Sequence, residues 1–350
     1  MNTSITKVLF VLLAVAACVQ TVQAQDDLDD VERKKLGQTG FKFLQVQTDP
    51  RTAALAGAVT SFDQVGAAAL FANPASMAWL ESQFQVTAGQ TQWIADVNYN
   101  QAALAFSPAS GRYGVFGVSL TTVDYGEFLG TVYDASDPRG YKDFSELGLA
   151  NPTVSALALG IGYAKALTDR FSVGGQVKYA MQDLGAAPSN REGDQILLDE
   201  FSKSTPAFDF GVLYKTGFRS LNFAMSARNF SPEVTYVQDN FELPLTFRIG
   251  VSMDLMDLTS IESDDHSFLL TLDAERPRDF AEHFRIGGEY TFLNTVALRA
   301  GYQYPTDERG VSLGAGLQHE FGGIGFGFDY AYTTFGVFDA VNQLALRVSF

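Results

Sequence analysis

Only one cysteine, Cys18, occurs in 350 residues, and it lies in the amino-terminal stretch. No disulfide framework can therefore hold this chain together. Basic charge is also scarce: 24 Lys and Arg face 40 Asp and Glu, a formal charge of −16. A phosphate backbone demands a basic footprint, so nucleic acid is excluded as a partner. Charged residues of both signs make up 18%, below the roughly 25% of soluble domains. Beyond its first residues the chain has no run of about 18 uninterrupted apolar residues, which excludes a helical membrane protein.

What is present begins with MNTSITKVLFVLLAVAACVQTVQAQDD. Lys7 supplies a positive n-region, residues 8–19 a short apolar h-region, and Val22-Gln23-Ala24 a small-residue cleavage site. This predicts a signal peptide over residues 1–24. Val15-Ala16-Ala17-Cys18 loosely resembles a lipoprotein signal, but the Val-Gln-Ala site fits better. Cleavage at Ala24 would remove Lys7 and Cys18, leaving 23 basic against 40 acidic residues. Residues 25–36 then form a charged tail, acidic from Asp26 to Glu32 and basic from Arg33 to Lys35, read as solvated and flexible.

Residues 37–82 contain AALAGAV and GAAALFANPASMAW and lack alternation. Small residues punctuated by Pro50 and Pro74 predict short helices and turns packed closely against another surface.

From residue 83 to the end the period changes to two. In IGFGFDYAYTTF, residues 324–335, Ile324, Phe326, Phe328, Tyr330 and Tyr332 alternate with Gly325, Gly327, Asp329, Ala331 and Thr333. Such alternation is a strand with one apolar face. About fourteen strands are expected, near 83–90, 93–107, 112–124, 153–167, 170–183, 204–216, 219–230, 243–257, 267–277, 284–292, 296–304, 310–319, 324–334 and 340–350. Most are longer than the about 5–6 residues usual in globular proteins and match the about 9–11 residues of a strand crossing a bilayer. The connections sort by parity. Short turns at 108–111, 168–170, 217–220, 293–295 and 320–323 fall on one side, with 258–266 longer. The long loops 125–152, 184–203 and 231–242 fall on the other, as in outer-membrane barrels.

The expected fold is thus an all-β membrane protein: a closed antiparallel transmembrane β-barrel of about 14 strands over residues 83–350, with lipid against the apolar face. Tyr302, Tyr304, Tyr330 and Tyr332 would supply interfacial belts. A lumen of this width is too large for wall side chains to fill, so residues 37–82 are expected as an amino-terminal hatch or plug. Packing at the periplasmic mouth is the alternative. Arg248, Arg285, Glu289, Arg299 and Arg347 fall on the inner face and should pair with one another or anchor the plug.

Catalytic signals are thin. Gly310-Val311-Ser312-Leu313-Gly314 matches a nucleophile-elbow pattern but lies within a strand, without the strand-to-helix turn the elbow needs. His266, His283 and His319 have no ligand spacing, and the acids Asp134, Asp137 and Asp143 read as loop charge more readily than as calcium ligands. The chain is read as no enzyme, with no cofactor.

FLQVQTDPRTAALAGAVTSFDQVGAAALFANPASMAW resembles the amino-terminal signature of the PorV/PorQ family, relatives of the FadL-type barrels. The matching positions are Phe43, Leu44, Arg51, Gly57, Asn73, Pro74 and Ala75; Ser76 and Met77 depart from the commoner Gly-Leu. The end, FGFDYAYTTFGVFDAVNQLALRVSF, resembles the family's closing strand pair, with Phe350 as the terminal aromatic signal read by the barrel-assembly machinery. The resemblance implies a bacterial outer-membrane barrel acting as an accessory or shuttle of the type IX secretion system. Its outer loops would bind the C-terminal domains of exported cargo and pass them on from a large translocon barrel. The FadL side of the resemblance implies instead a channel for hydrophobic or small solutes through the hatch.

Overall fold

A computed structural model describes residues 39–192, 195–259, 265–306 and 309–350. The signal peptide and charged tail expected over residues 1–36 lie outside the described residues.

Fourteen strands form the wall. They are β1 (Phe84–Gln92), β2 (Asn98–Phe106), β3 (Val115–Asp124), β4 (Ser155–Ala166), β5 (Phe171–Glu192), β6 (Gln195–Lys215) and β7 (Asn222–Phe230). There follow β8 (Thr246–Asp254), β9 (His266–Pro277), β10 (His283–Phe292), β11 (Val296–Tyr304), β12 (Arg309–Phe321), β13 (Ile324–Phe335) and β14 (Phe338–Ser349). Each pairs antiparallel with its sequence neighbour, and the sheet closes where β1 meets β14, from Gln85 opposite Ser349 to Gln92 opposite Asn342. Closure leaves no strand edge unpaired, as a hydrocarbon surroundings requires.

Alternation sorts each strand between two media. On β13, Phe326, Phe328, Tyr330 and Tyr332 are exposed on the outside, while Asp329, Ala331 and Thr333 are buried inside. On β11, Tyr302 and Tyr304 point out and Arg299 and Gln303 point in. The carboxyl end seals against the first strand. Phe84 and Phe350 exchange backbone hydrogen bonds of 2.7 and 3.0 Å, and their rings stack at 5.6 Å.

Two expectations need correction. Residues 184–203 are not an open loop: β5 and β6 continue pairing through them, from Ala186 opposite Glu200 to Glu192 opposite Gln195. Above the membrane a ladder needs no apolar face, so nothing in the hydropathy marks its continuation. Residues 93–97 are a turn rather than the start of β2. Ala95 and Asp96 both take positive φ there, and Trp93 N–H donates to Val97 O at 2.8 Å. The long connections 125–154 and 231–245 lie on the same side as this hairpin. Each carries a small two-stranded ladder, at Thr131–Tyr133 with Tyr141–Asp143 and at Val234–Thr235 with Asn240–Phe241.

Candidate functional site: the filled lumen and the outer face

The segment from Thr39 to Ser82 runs inside the barrel from one mouth to the other. At the mouth of the long loops, Thr39 bridges Glu242 in parallel, its hydroxyl donates to Asp279 at 2.7 Å, and Lys42 pairs with the same buried Asp279. Phe41, Phe43 and Leu44 pack with inward Tyr99, Val123 and Ala158 and with Val234 and Leu243 from the connection above. Below this level Thr48 bonds Gln101, and the inward amide of Gln343 donates to Gln47 O at 2.5 Å.

A short helix, α1 (Pro50–Ala54), comes next, with Pro at its first position and Asp49 as cap. The Asp49 carboxylate accepts from Thr52 N–H at 2.9 Å and from its hydroxyl at 2.8 Å, satisfying an orphan donor of the first turn. Gly57 ends this turn at φ 87°, and a Cβ there would strike the Arg285 guanidinium and the Gln47 amide. Backbone conformation and crowding both demand glycine at this point.

Asn73-Pro74-Ala75 opens a second turn, a 3₁₀ helix over Pro74–Trp79. Asn73 Oδ1 accepts from Ala75 N–H at 3.1 Å, while its amide donates to Thr60 O at 2.8 Å and to Val212 O of β6 at 3.2 Å. One buried side chain thus caps the turn, ties it to the preceding coil and fastens it to the wall. Ala75 O accepts from Ser172 of β5 at 3.0 Å, and Trp79 donates its indole N–H to the same hydroxyl at 3.0 Å. Leu55, Val59, Phe62, Leu70 and Met77 are buried in one apolar cluster within the lumen. Five such side chains contribute on the order of 10 kcal/mol to seating, before the entropy of ordering the segment.

The inward charges form chains with acids across the inner wall. Arg51 donates to both oxygens of Glu289, at 2.9 and 2.6 Å, and to Gln64 O at 2.7 Å. Glu289 also binds Arg299, whose other side reaches Asp329 at 2.6 Å, with Arg347 at 3.9 Å from that acid. A second group has Arg248 and Arg285 on Glu275, at 2.5 and 2.9 Å. A third was not legible from the cations alone: Lys178 on Asp209 at 2.8 Å, beside a bulge where Asn229 N–H donates to Asp209 at 2.7 Å. The signal available was the inward parity of Asp209, Asp273, Glu275 and Asp329.

Among the described residues, cavities lie at the mouth of the lumen, within it and on the outer wall. A bowl of about 980 Å³ opens at the short-turn mouth beneath Arg51 and Glu289. An internal void of about 30 Å³ lies between Phe43 and Phe71, room for about one water. A groove of about 200 Å³ sits outside the wall near Phe247 and Phe280. The wall is continuous beside all of them.

The other candidates stay apart. Ser312 is buried, its hydroxyl 3.2 Å from Thr333 Oγ1, with no base among its described hydrogen bonds. His266 meets the Tyr290 hydroxyl at 2.6 Å, and among the described residues no three His, Cys, Asp or Glu converge as metal ligands. Asp134 is bound by Lys142 at 2.8 Å and Asp137 by Arg139 at 3.1 Å, while Arg139 also reaches Glu146 at 2.7 Å. These partners hold the Asp134 and Asp137 carboxyls below the usual carboxylate range and stiffen the outer hairpin. Beside it Leu129 and Tyr133 are each 79% exposed.

Comparison with known proteins resolves the family. Residues 155–344 match the profile of the type IX secretion system membrane protein PorP/SprF, more than half of the chain. The chain belongs to the PorP/SprF family. Its matched region runs from β4 into β14, so the motif at residues 43–75 that carries the PorV/PorQ resemblance lies outside it. A search of curated sequences returns no match. Among solved structures, the CymD monoaromatic hydrocarbon channel superposes with a TM-score of 0.54 at 12% identity, covering 87% of this chain and 98% of that one. The toluene transporter TodX of Pseudomonas putida gives 0.51 at 14%, covering 85% and 96%. A FadL homologue of Pseudomonas aeruginosa gives 0.50 at 14%, covering 87% and 98%. At such identities the likeness is one of fold. Family and barrel together place this PorP/SprF member in the bacterial outer membrane, with the C-terminal Phe350 and short turns periplasmic and the long connections outside.

Proposed function

We propose that this PorP/SprF protein is a non-enzymatic accessory of type IX secretion that captures exported proteins at its extracellular face. The observation carrying this reading is a lumen occupied from mouth to mouth inside an unbroken wall. With passage blocked in this state, the elaborated surface is the outer one. Its connections and the projecting hairpin 184–203 together carry 17 acidic against 5 basic residues in sequence, with structured hairpins and exposed Leu129, Tyr133 and Val237. Apolar knobs within a polar, charged field are what a protein partner uses for affinity and register. Residues 39–82 act as the hatch, with Arg51, Gly57, Asn73, Pro74 and Ala75 setting its turns. The inner charges Arg248, Arg285, Glu289, Arg299 and Arg347 anchor it. Cargo C-terminal domains and a large translocon barrel are the partners, as in the PorV/PorQ resemblance, and Phe350 is the handle for barrel assembly.

The test replaces residues 127–147 by a short Gly-Ser linker and purifies tagged protein from its own cells. Loss of co-purifying secreted proteins that share a C-terminal domain, with the barrel still folded, supports capture. Unchanged recovery overturns it. Purification of the intact barrel alone with stoichiometric fatty acid or hydrocarbon would move the assignment to a solute channel, the activity carried by the names of CymD and TodX.

A further inference from the structure

We propose that the outer ends of β8 and β9 carry a binding site for a phosphorylated lipid of the outer leaflet. Its phosphate sits on Arg276 and Arg278, and the upper stretch of one acyl chain lies in the groove beside them. The inference rests on the orientation of the barrel and not on cargo capture.

The groove of about 200 Å³ outside the wall joins an apolar side, Leu245, Phe247 and Phe280, to a charged one, Arg276, Arg278 and Glu282. A cavity of about 150 Å³ holds benzene, so this volume admits a stretch of one acyl chain and not a whole lipid. The lipid-facing surface changes character at this point. Below Arg276 the outward positions of β9 are Ala274, Leu272 and Leu270. Beside it on β8 stands Phe247, followed downward by Ile249, and both are exposed. A cation on the lipid face is costly in the hydrocarbon and tolerated near the headgroups. Arg276 therefore marks headgroup level, with an unbroken apolar surface beneath it for the rest of the chain.

Charge selects the headgroup. Arg276 pairs with Glu282 at 2.8 Å, but the two side chains are 62% and 46% exposed, and exposed pairs hold loosely. Arg278 pairs with Glu242, also at the surface. Lys42, on Asp279, has its Nζ 5.0 Å from the centre of the Phe280 ring and adds a third cation behind the groove. These three balance Glu242, Asp279 and Glu282, so this corner is neutral on an outer face that elsewhere repels anions. A phosphate monoester carries about −1.5 to −2 at pH 7. It outbids a single carboxylate for a guanidinium fork, and the apolar side of the groove holds the chain attached to it.

The test titrates the purified full-length barrel, in zwitterionic detergent, with phosphorylated lipid A and with the same lipid dephosphorylated. Native mass spectrometry counts the bound lipid. The expected result is one phosphorylated lipid bound about tenfold more tightly than its dephosphorylated form. The Arg276→Gln/Arg278→Gln double variant should lose that preference. Lys165→Gln, which removes an outward cation at the periplasmic end of β4, should keep it. Equal binding of the two lipids by the native barrel overturns the inference, and this comparison needs no variant. A preference that survives in the double variant, with closure verified by heat-dependent gel mobility, also overturns it. Inorganic phosphate competing as strongly as the lipid, mole for mole, would make the site one for a free anion and overturn the lipid assignment. Photo-crosslinking in cells from benzoylphenylalanine at position 280 should yield a glycolipid adduct; a protein adduct there overturns the proposal.

Discussion

Replacing Arg51 by alanine should loosen the lumen segment without opening the barrel wall. The guanidinium makes three donor contacts of 2.6 to 2.9 Å, two to Glu289 and one to Gln64 O, and lies 5.3 Å from the centre of the Phe62 ring. Breaking a buried ion pair from one side costs about 3–5 kcal/mol. Two features reduce that here: Glu289 keeps Arg299, and both residues border the periplasmic bowl, where solvent screens the charge left behind. About 2–3 kcal/mol is therefore expected, and at 1.4 kcal/mol per tenfold this is on the order of 100-fold in the local opening equilibrium. Hydrogen exchange in detergent reads it directly. The amides of Ala56, Gly57 and Ala58, bonded to Ala53, Thr52 and Leu55 at 2.9, 2.8 and 3.0 Å, should exchange about 100-fold faster, while amides of β3 and β13 keep their protection. Unchanged exchange at Ala56–Ala58 would refute the anchoring role of Arg51. Equal acceleration across the strands would refute the independence of segment and wall.

Gly301→Leu places a side chain against the backbone of Leu55 and Ala56, so the segment cannot seat in its native position; fewer barrels should close, and planar-bilayer recordings of the closed fraction, isolated by heat-dependent gel mobility, should find steady conductance where the native protein shows none. Arg139→Ala removes the contacts to Asp137, Asp143 and Glu146, and proteolysis within residues 125–152 should accelerate while the barrel stays resistant. The same hairpin should loosen in acid. Its Asp134 and Asp137 carboxyls titrate lower when paired than when free, so pairing contributes fully above the ordinary value of about 3.9 and is lost as pH falls through the lowered one. Peptide-resolved proteolysis by an acid protease at pH 2 against pH 4 measures this. Deleting Phe350 removes the stacking on Phe84 and the paired backbone bonds at the seam, and the fraction reaching the heat-modifiable form in membranes should drop severalfold.

All fourteen wall strands could be located from the sequence because each meets lipid on one face and polar matter on the other, and that difference is written residue by residue. Where the medium is water on both sides the signal vanishes. The upper halves of β5 and β6 and the small outer ladders are paired, yet nothing in their hydropathy distinguishes them from loop. The inner segment was recognisable as different by its small residues, and Pro50 and Pro74 do open two of its short helical turns. The acids that hold the inner arginines were less visible, since Glu275 and Asp329 are identified as partners only when neighbouring strands are in register. The contacts that hold the segment at the outer mouth, Thr39 with Glu242 and Asp279 and Lys42 with Asp279, join residues more than two hundred positions apart, and no local pattern encodes them.

The inner segment is joined directly to β1, one of the two strands that meet at the seam, and traverses the lumen to the far mouth. A finished cylinder could admit such a chain only by having it threaded lengthwise through a bore already packed with side chains. The order of events in biogenesis is thereby constrained. The curling sheet has to wrap around a core laid down beforehand, and the last zip of β14 onto β1 locks that core in place. The segment from Thr39 to Ser82 is then a template for the wall's inner surface, and errors in its turns would surface as failures of closure before they surfaced as failures of function.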